Sequence, residues 1–159
     1  MNILGLDKTK VRTSSETAEF TLGTVGRIDG SGKLYKYVKY NGGAGSVAAV
    51  AGNFVYNYAV SGASAGQYTE VTSDATDSGG IGMGVLQSVI PTGGYGWIQI
   101  TGHAVLGQDL VSGADGNVLT AKGLTTEDGK LKVGAAVTEF MCAVAIDASA
   151  KIVFLTCPL

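Results

Sequence analysis

The chain has 159 residues, 45% of them hydrophobic and only 15% charged, against about 25% charged in a typical soluble domain. Lys and Arg number 11 against 13 Asp and Glu, a formal charge of −2, so no long-range field draws the chain toward nucleic acid or an anionic membrane. That length suits one domain with its own core, and no apolar run approaches the 18 or so residues a spanning helix requires.

Residues 1–19 differ in character from the rest of the chain. They open on an apolar tip, Ile3, Leu4 and Leu6, and continue through Lys8, Lys10, Arg12, Glu16 and Glu19 without a sustained hydrophobic period. The tip is too short, and too soon followed by charge, for a signal peptide, which predicts synthesis in a cytoplasm. Two readings of the segment stay open: a frayed terminus, or an arm that becomes ordered against a partner with its tip in an apolar pocket.

The whole chain has 25 glycines and only 2 prolines, and from residue 20 onward glycine punctuates it with no three-residue period. Asp29-Gly, Asn41-Gly-Gly, Ser78-Gly-Gly, Thr92-Gly-Gly, Asp115-Gly and Asp128-Gly separate runs of alternating or β-branched residues. Such dipeptides supply the positive φ of tight hairpin turns. Strands are predicted over 20–28, 33–40, 54–60, 68–72, 83–89, 95–101, 103–106, 117–120, 130–133, 140–146 and 151–157. One short helix is expected at 46–51, with Ser46 as its cap and Gly52 as its stop. The pattern predicts an all-β fold, a compact antiparallel barrel or sandwich over 20–159, because parallel βαβ units need crossover helices that are missing. The segments 83–101 and 142–156 share a plan of strand, turn and strand, as two related hairpins would.

The residue types that carry chemistry are sparse. His103 is the only histidine, and Cys142 and Cys157 lack the close-spaced company of a metal site. A hairpin pairing Ile146 with Lys151 sets Cys142 opposite Leu155 and diagonal to Cys157, roughly 7–8 Å away, which predicts free, buried thiols. Asp74 and Asp77 share a loop but offer too few oxygens for calcium, so a solvated loop is expected. Gly80-Ile-Gly-Met-Gly84 lacks the Lys and helix of a phosphate loop, and its small residues suit close strand packing. No cofactor, metal or catalytic residue is assigned.

In the strand 33–40, alternation places Lys33, Tyr35, Tyr37 and Lys39 on one face. Basic and aromatic side chains so arranged suit stacking of single-stranded bases, yet the acidic net charge disfavours it. Tyr35 and Tyr37, with Tyr56, Tyr58 and Trp97, are instead assigned to a subunit interface, where half-apolar, half-polar rings are enriched. A sparsely charged surface also predicts burial against copies of the chain.

The order of elements resembles the capsid decoration, or cement, proteins of tailed bacteriophages. It is carried by Gly26-Arg-Ile-Asp-Gly-Ser-Gly-Lys-Leu-Tyr-Lys-Tyr-Val38, by Gly82-Met-Gly-Val-Leu86, and by Gly94-Tyr-Gly-Trp-Ile-Gln-Ile-Thr-Gly-His-Ala-Val-Leu106. Ser112-Gly-Ala-Asp-Gly-Asn-Val-Leu119 and the closing hairpin complete it. The resemblance implies a small β domain, β-tulip-like forms included, that sits as a homotrimer on the virion exterior and binds the major capsid protein. A terminal segment engages the shell in such proteins, which here assigns shell contact to Ile3, Leu4, Leu6, Lys8, Lys10 and Arg12. Neither nucleic acid nor membrane is an expected partner. A fibre or tail module with an exposed Trp97 or Tyr95 platform for host glycan, and a single-strand-binding barrel, are the rival expectations.

Overall fold

The computed structural model describes residues 2–28, 30–58, 68–135 and 138–159, with only the backbone at 2–4. Among the described residues eleven strands occur, in chain order: β1 Asn2–Leu4, β2 Val25–Arg27, β3 Leu34–Tyr40, β4 Phe54–Tyr58, β5 Glu70–Thr72 and β6 Ser78–Leu86. The chain continues with β7 Tyr95–Val105, β8 Val118–Thr120, β9 Lys132–Val133, β10 Met141–Asp147 and β11 Ile152–Thr156. The fold is all-β, and its centre is a barrel of five strands in the order β3, β5, β4, β6, β7, closed by pairing of β7 back onto β3. Closure removes the exposed edges that an open sheet of these strands would otherwise present.

Long β7 makes the architecture. Its first part pairs with β3 across Leu34 to Lys39, and its last part, from Thr101 to Val105, runs past the barrel to pair with β11. Strands β10, β8 and β9 then extend a side sheet from β11. The two predicted strands at 95–101 and 103–106 are thus one, bent at Gly102, whose φ of 84° an L side chain rarely adopts.

Three expectations need correcting. Residues 46–51 are not helical: Ser46 has a φ of 52°, and the segment is a turn stapled by the Tyr40 hydroxyl, which donates to the Val47 carbonyl at 2.9 Å. Nor is the barrel wholly antiparallel. Strand β3 runs parallel to β5, and no helix is needed because β4 makes the return journey between them. In the closing hairpin, a bulge at Ile146 shifts the register by one, so Ala143 rather than Cys142 faces Leu155. The cysteines are free and buried, as expected, but closer neighbours than the unbulged register allows. The predicted strand end at 59–60 and the turn residue Asp29 lie outside the described residues.

Two hydrophobic clusters result. The larger fills the barrel and the space under the side sheet, with Val38, Tyr40, Phe54, Tyr56, Met83, Ile98, Leu119, Val153 and Leu155 all buried. Strand β6 passes beneath β10 there, and Gly82 permits it. A Cβ at that position would stand 2.5 Å from the Cys142 sulfur and 2.8 Å from the Phe54 ring. The substitution Gly82→Val should therefore destabilise the protein by about 3 kcal/mol, the upper range for overpacking, read as a lower urea midpoint. An unchanged midpoint would show that the two layers can separate freely.

The smaller cluster lies outside the barrel wall. Tyr35, Tyr37 and Trp97 point away from the lumen and are nonetheless only 1% exposed, because Leu6, Ala18, Phe20, Leu22, Ile28 and Tyr95 pack over them. Phe20 anchors this cover, with its ring 5.4 Å from those of both Tyr37 and Trp97.

Candidate contact surface

The predicted site residues fall into two groups with different fates. Of the arm, Ile3 and Leu4 have side chains outside the described residues, while their backbone runs parallel to β2. Leu6 is half-buried in the aromatic cluster, and the Lys8 ammonium stands 5.9 Å from the centre of the Tyr35 ring. Lys10 pairs with Glu19 at 2.8 Å, and Arg12 pairs with Glu16 at 3.2 Å and Glu19 at 3.4 Å. The Lys10 hydrogen bond, aided by both cations, holds the Glu19 carboxyl below its ordinary range. The backbone of Arg12 exchanges two hydrogen bonds with Tyr95. Residues 5–22 are thus a strap folded onto their own barrel, with the charges of its middle spent largely on one another.

Of the residues assigned to a subunit interface, Tyr35, Tyr37, Tyr56 and Trp97 are buried inside the single chain, and only Tyr58 is half-exposed. The physical reason is that the strap supplies for the outer rings the apolar cover that a second subunit was expected to bring. Tyr56 lies in the main core, where its hydroxyl donates to the Lys130 carbonyl at 2.6 Å. The same burial leaves no stacking stripe for single-stranded bases and no Trp97 platform for a sugar. Tyr95, half-buried, stacks on Tyr37 at 6.4 Å.

The remaining polar candidates have structural partners. Asp74 is 2% exposed; burial works against its charge, but hydrogen bonds from Thr76 and from the Gly45 amide hold its carboxyl below the ordinary range. Asp77 accepts from the Ala44 amide, so both carboxylates pin the loop at 42–47 rather than standing in solvent. Among the described residues no three His, Cys, Asp or Glu side chains are grouped as a metal site would need.

The surface that sequence reasoning missed is the outer face of the side sheet. Alternation along each strand sends Ala104, Val153, Leu155, Ala143 and Leu119 inward, and these are buried. Their neighbours point out. Register then aligns His103 with Phe154, Phe154 with Val144, and Val144 with Val118, giving one row across β7, β11, β10 and β8. Four strands at the usual spacing make this row about 14 Å wide. Val105, paired with Ile152, adds a second, shorter row.

This face is apolar and open. Val105 is 64% exposed, Ile146 46%, and Phe154 and Val118 41% each. His103 meets Phe154 edge-on at 5.3 Å, and apart from it the two rows contain no titratable group. Charges stand at the margin, where Lys151 pairs with Asp109 at 3.5 Å and Asp147 caps the turn at 148–150. Apolar residues gathered on one face and rimmed by polar groups make it the candidate contact surface.

Fold and face together define a class: an all-β protein on a closed five-stranded barrel, with a side sheet that exposes an apolar contact face. No family model, curated protein or solved structure matches the chain.

Proposed function

We propose that the protein is a capsid decoration protein of a tailed bacteriophage, a structural subunit that docks on the outside of the assembled shell and bridges neighbouring capsid proteins. Its partners on this reading are the major capsid protein and further copies of itself in a homotrimer. The observation that carries the proposal is the outward-facing, four-strand row His103, Phe154, Val144 and Val118 on the side sheet. The sparse charge of the whole chain supports it as well.

The mechanism is mass action. A subunit that binds only the assembled lattice lowers the free energy of that state and leaves the dissociated one untouched, so every occupied site raises the force or heat needed for disruption. A preformed sheet keeps the cost of ordering low on binding. The docking residue assigned here is Phe154, with the strap playing the internal role of barrel cover.

Phe154→Asp places a carboxylate in the middle of the row. Cosedimentation with shells purified without the protein should show binding weakened at least tenfold, since burying an unpaired charge costs more than about 1.4 kcal/mol. The melting profile should stay within a degree or two of the parent, because the position is on the solvent side. Full binding by the variant would reject the face as the docking surface, and failure of the parent itself to bind shells would reject the decoration role.

A further inference from the structure

Beneath the contact face lie two thiols that nothing in the docking role requires. Cys142 is fully buried and Cys157 is 5% exposed. The bulge at Ile146 sets Ala143 opposite Leu155, which places Cys142 opposite Thr156 and so next to Cys157 across the hairpin. An offset of one residue from direct opposition leaves Cα atoms about 6 Å apart, inside the range a disulfide spans.

Side-chain direction completes the geometry. On a regular ladder an offset of one would send the two sulfurs to opposite faces. Here Cys142 sits at a second irregularity, where β10 shifts against β8 between Met141 and Ala143, and Cys157 lies just past the last residue of β11. Both side chains turn into the core. The Cys157 sulfur donates to the carbonyl of Cys142 itself at 3.5 Å, and the Cys142 sulfur donates to the Leu119 carbonyl at 3.7 Å. A thiol that close to its neighbour's own backbone lies within a side-chain rotation of that neighbour's sulfur.

We propose that Cys142 and Cys157 are a latent intrachain disulfide, closed in the folded protein by a peroxide. The balance is simple. The thiolate of Cys157, nearer the surface, attacks one peroxide oxygen, giving a sulfenic acid and releasing hydroxide. Cys142 then attacks the Cys157 sulfur, the Sγ–Sγ bond forms, and the hydroxyl leaves as a second hydroxide. The two thiol protons neutralise both, so two thiols and one peroxide become one disulfide and two waters.

The surroundings make the reaction slow. Its hydrogen bond to Cys142, together with burial, pushes the Cys157 thiol up from its ordinary range, which keeps that sulfur protonated at neutral pH. The opposing influence is Lys36, 2% exposed on the lumen side of β3, whose charge favours the Cys157 thiolate. Once closed, the bond would tie β10 to the residue after β11 and brace the two strands that carry Val144 and Phe154. The inference is independent of what the contact face binds.

The test is to treat the folded, full-length protein with hydrogen peroxide until Met141 is oxidised, then denature it, alkylate with iodoacetamide and measure the intact mass. The expected product is a monomer in which neither cysteine is alkylated and both become alkylatable after reduction. Two alkylated cysteines, a disulfide between two chains, or sulfinic acid at Cys157 would each overturn the proposal. The closed form should also unfold at higher urea than the reduced form. An equal or lower midpoint would reject the bracing role.

Discussion

A chain lacking residues 1–22 is expected to lose its stable monomeric fold, not merely a docking arm. Those residues carry Leu6, Ala18, Phe20 and Leu22, which cover Tyr35, Tyr37 and Trp97 on the outer wall of the barrel. Removing them exposes three large rings and forfeits the burial of three more sizeable apolar side chains. At about 1 kcal/mol or more for each half-buried group and more for the rings, the loss is of order 5 kcal/mol or above, comparable with the whole stability of many domains. The Glu19 amide that donates to the Tyr37 hydroxyl at 3.2 Å is lost too. Size exclusion and thermal melting of the truncated chain should show aggregation or a strongly lowered midpoint. A truncated chain that stays monomeric and melts with the parent would show that the strap contributes no stability. Phe20→Ala separates packing from chain length, and should cost about 3 kcal/mol, the lower end for a large-to-small change at a half-buried ring.

The strap also shows where a sequence stops being readable. Alternation over 33–40 correctly puts Tyr35 and Tyr37 on one face and Val38 and Tyr40 on the other. What it cannot show is that both faces are buried, because the cover comes from residues 6–28, whose apolar members obey no period. Lys10, Arg12, Glu16 and Glu19 read as a hydrated arm for the same reason: their pairing with one another exists only once the segment folds back. Glycine punctuation located nearly every strand from β2 onward, since turns demand particular backbone angles whatever surrounds them. Strand β1, near the start of the chain, carried no such signal.

The contact face was hidden by a different ambiguity. In Ile152-Val-Phe-Leu155 every residue is apolar, so composition does not say whether Phe154 or Leu155 faces the core. The choice is made by the pairing of β11 with β7 and by the single-residue bulge at Ile146, neither of which leaves a mark in the hairpin's own sequence. Lys36 is a related case. Its position in the alternation sends it into the barrel, where burial pushes its ammonium down from its ordinary range. A charge pattern read along the strand would have kept it in water.

Buried phenols should make the protein lose stability steeply in alkali. Burial raises the hydroxyls of Tyr35, Tyr37, Tyr40 and Tyr56 above their ordinary value of 10.0, most of all that of Tyr56. In the unfolded chain these phenols ionise near pH 10. Above that pH the native state holds protons the unfolded state has released, so stability falls as pH rises. The contribution is complete below pH 10 and is lost between there and the raised native values. Tyr56 alone accounts for about 1.4 kcal/mol per pH unit in that window, and the other three act in the same direction by amounts reduced by solvent screening.

Lys36 works in the opposite sense. Its depressed native value means that the unfolded chain binds the extra proton, so its contribution to stability grows with pH and is complete near 10.4. The raised Cys157 thiol, which ionises at about pH 8.5 in the unfolded chain, offsets Lys36 above that pH, so the expected profile of urea midpoints stays nearly level toward pH 10 and drops sharply beyond it. Phenolate absorbance from the four buried rings should appear together with loss of near-ultraviolet circular dichroism, as one cooperative step. Ionisation of those four rings near pH 10 with the dichroism intact would mean that water and hydroxide reach both clusters in the native state, and that neither the strap nor the barrel seals them.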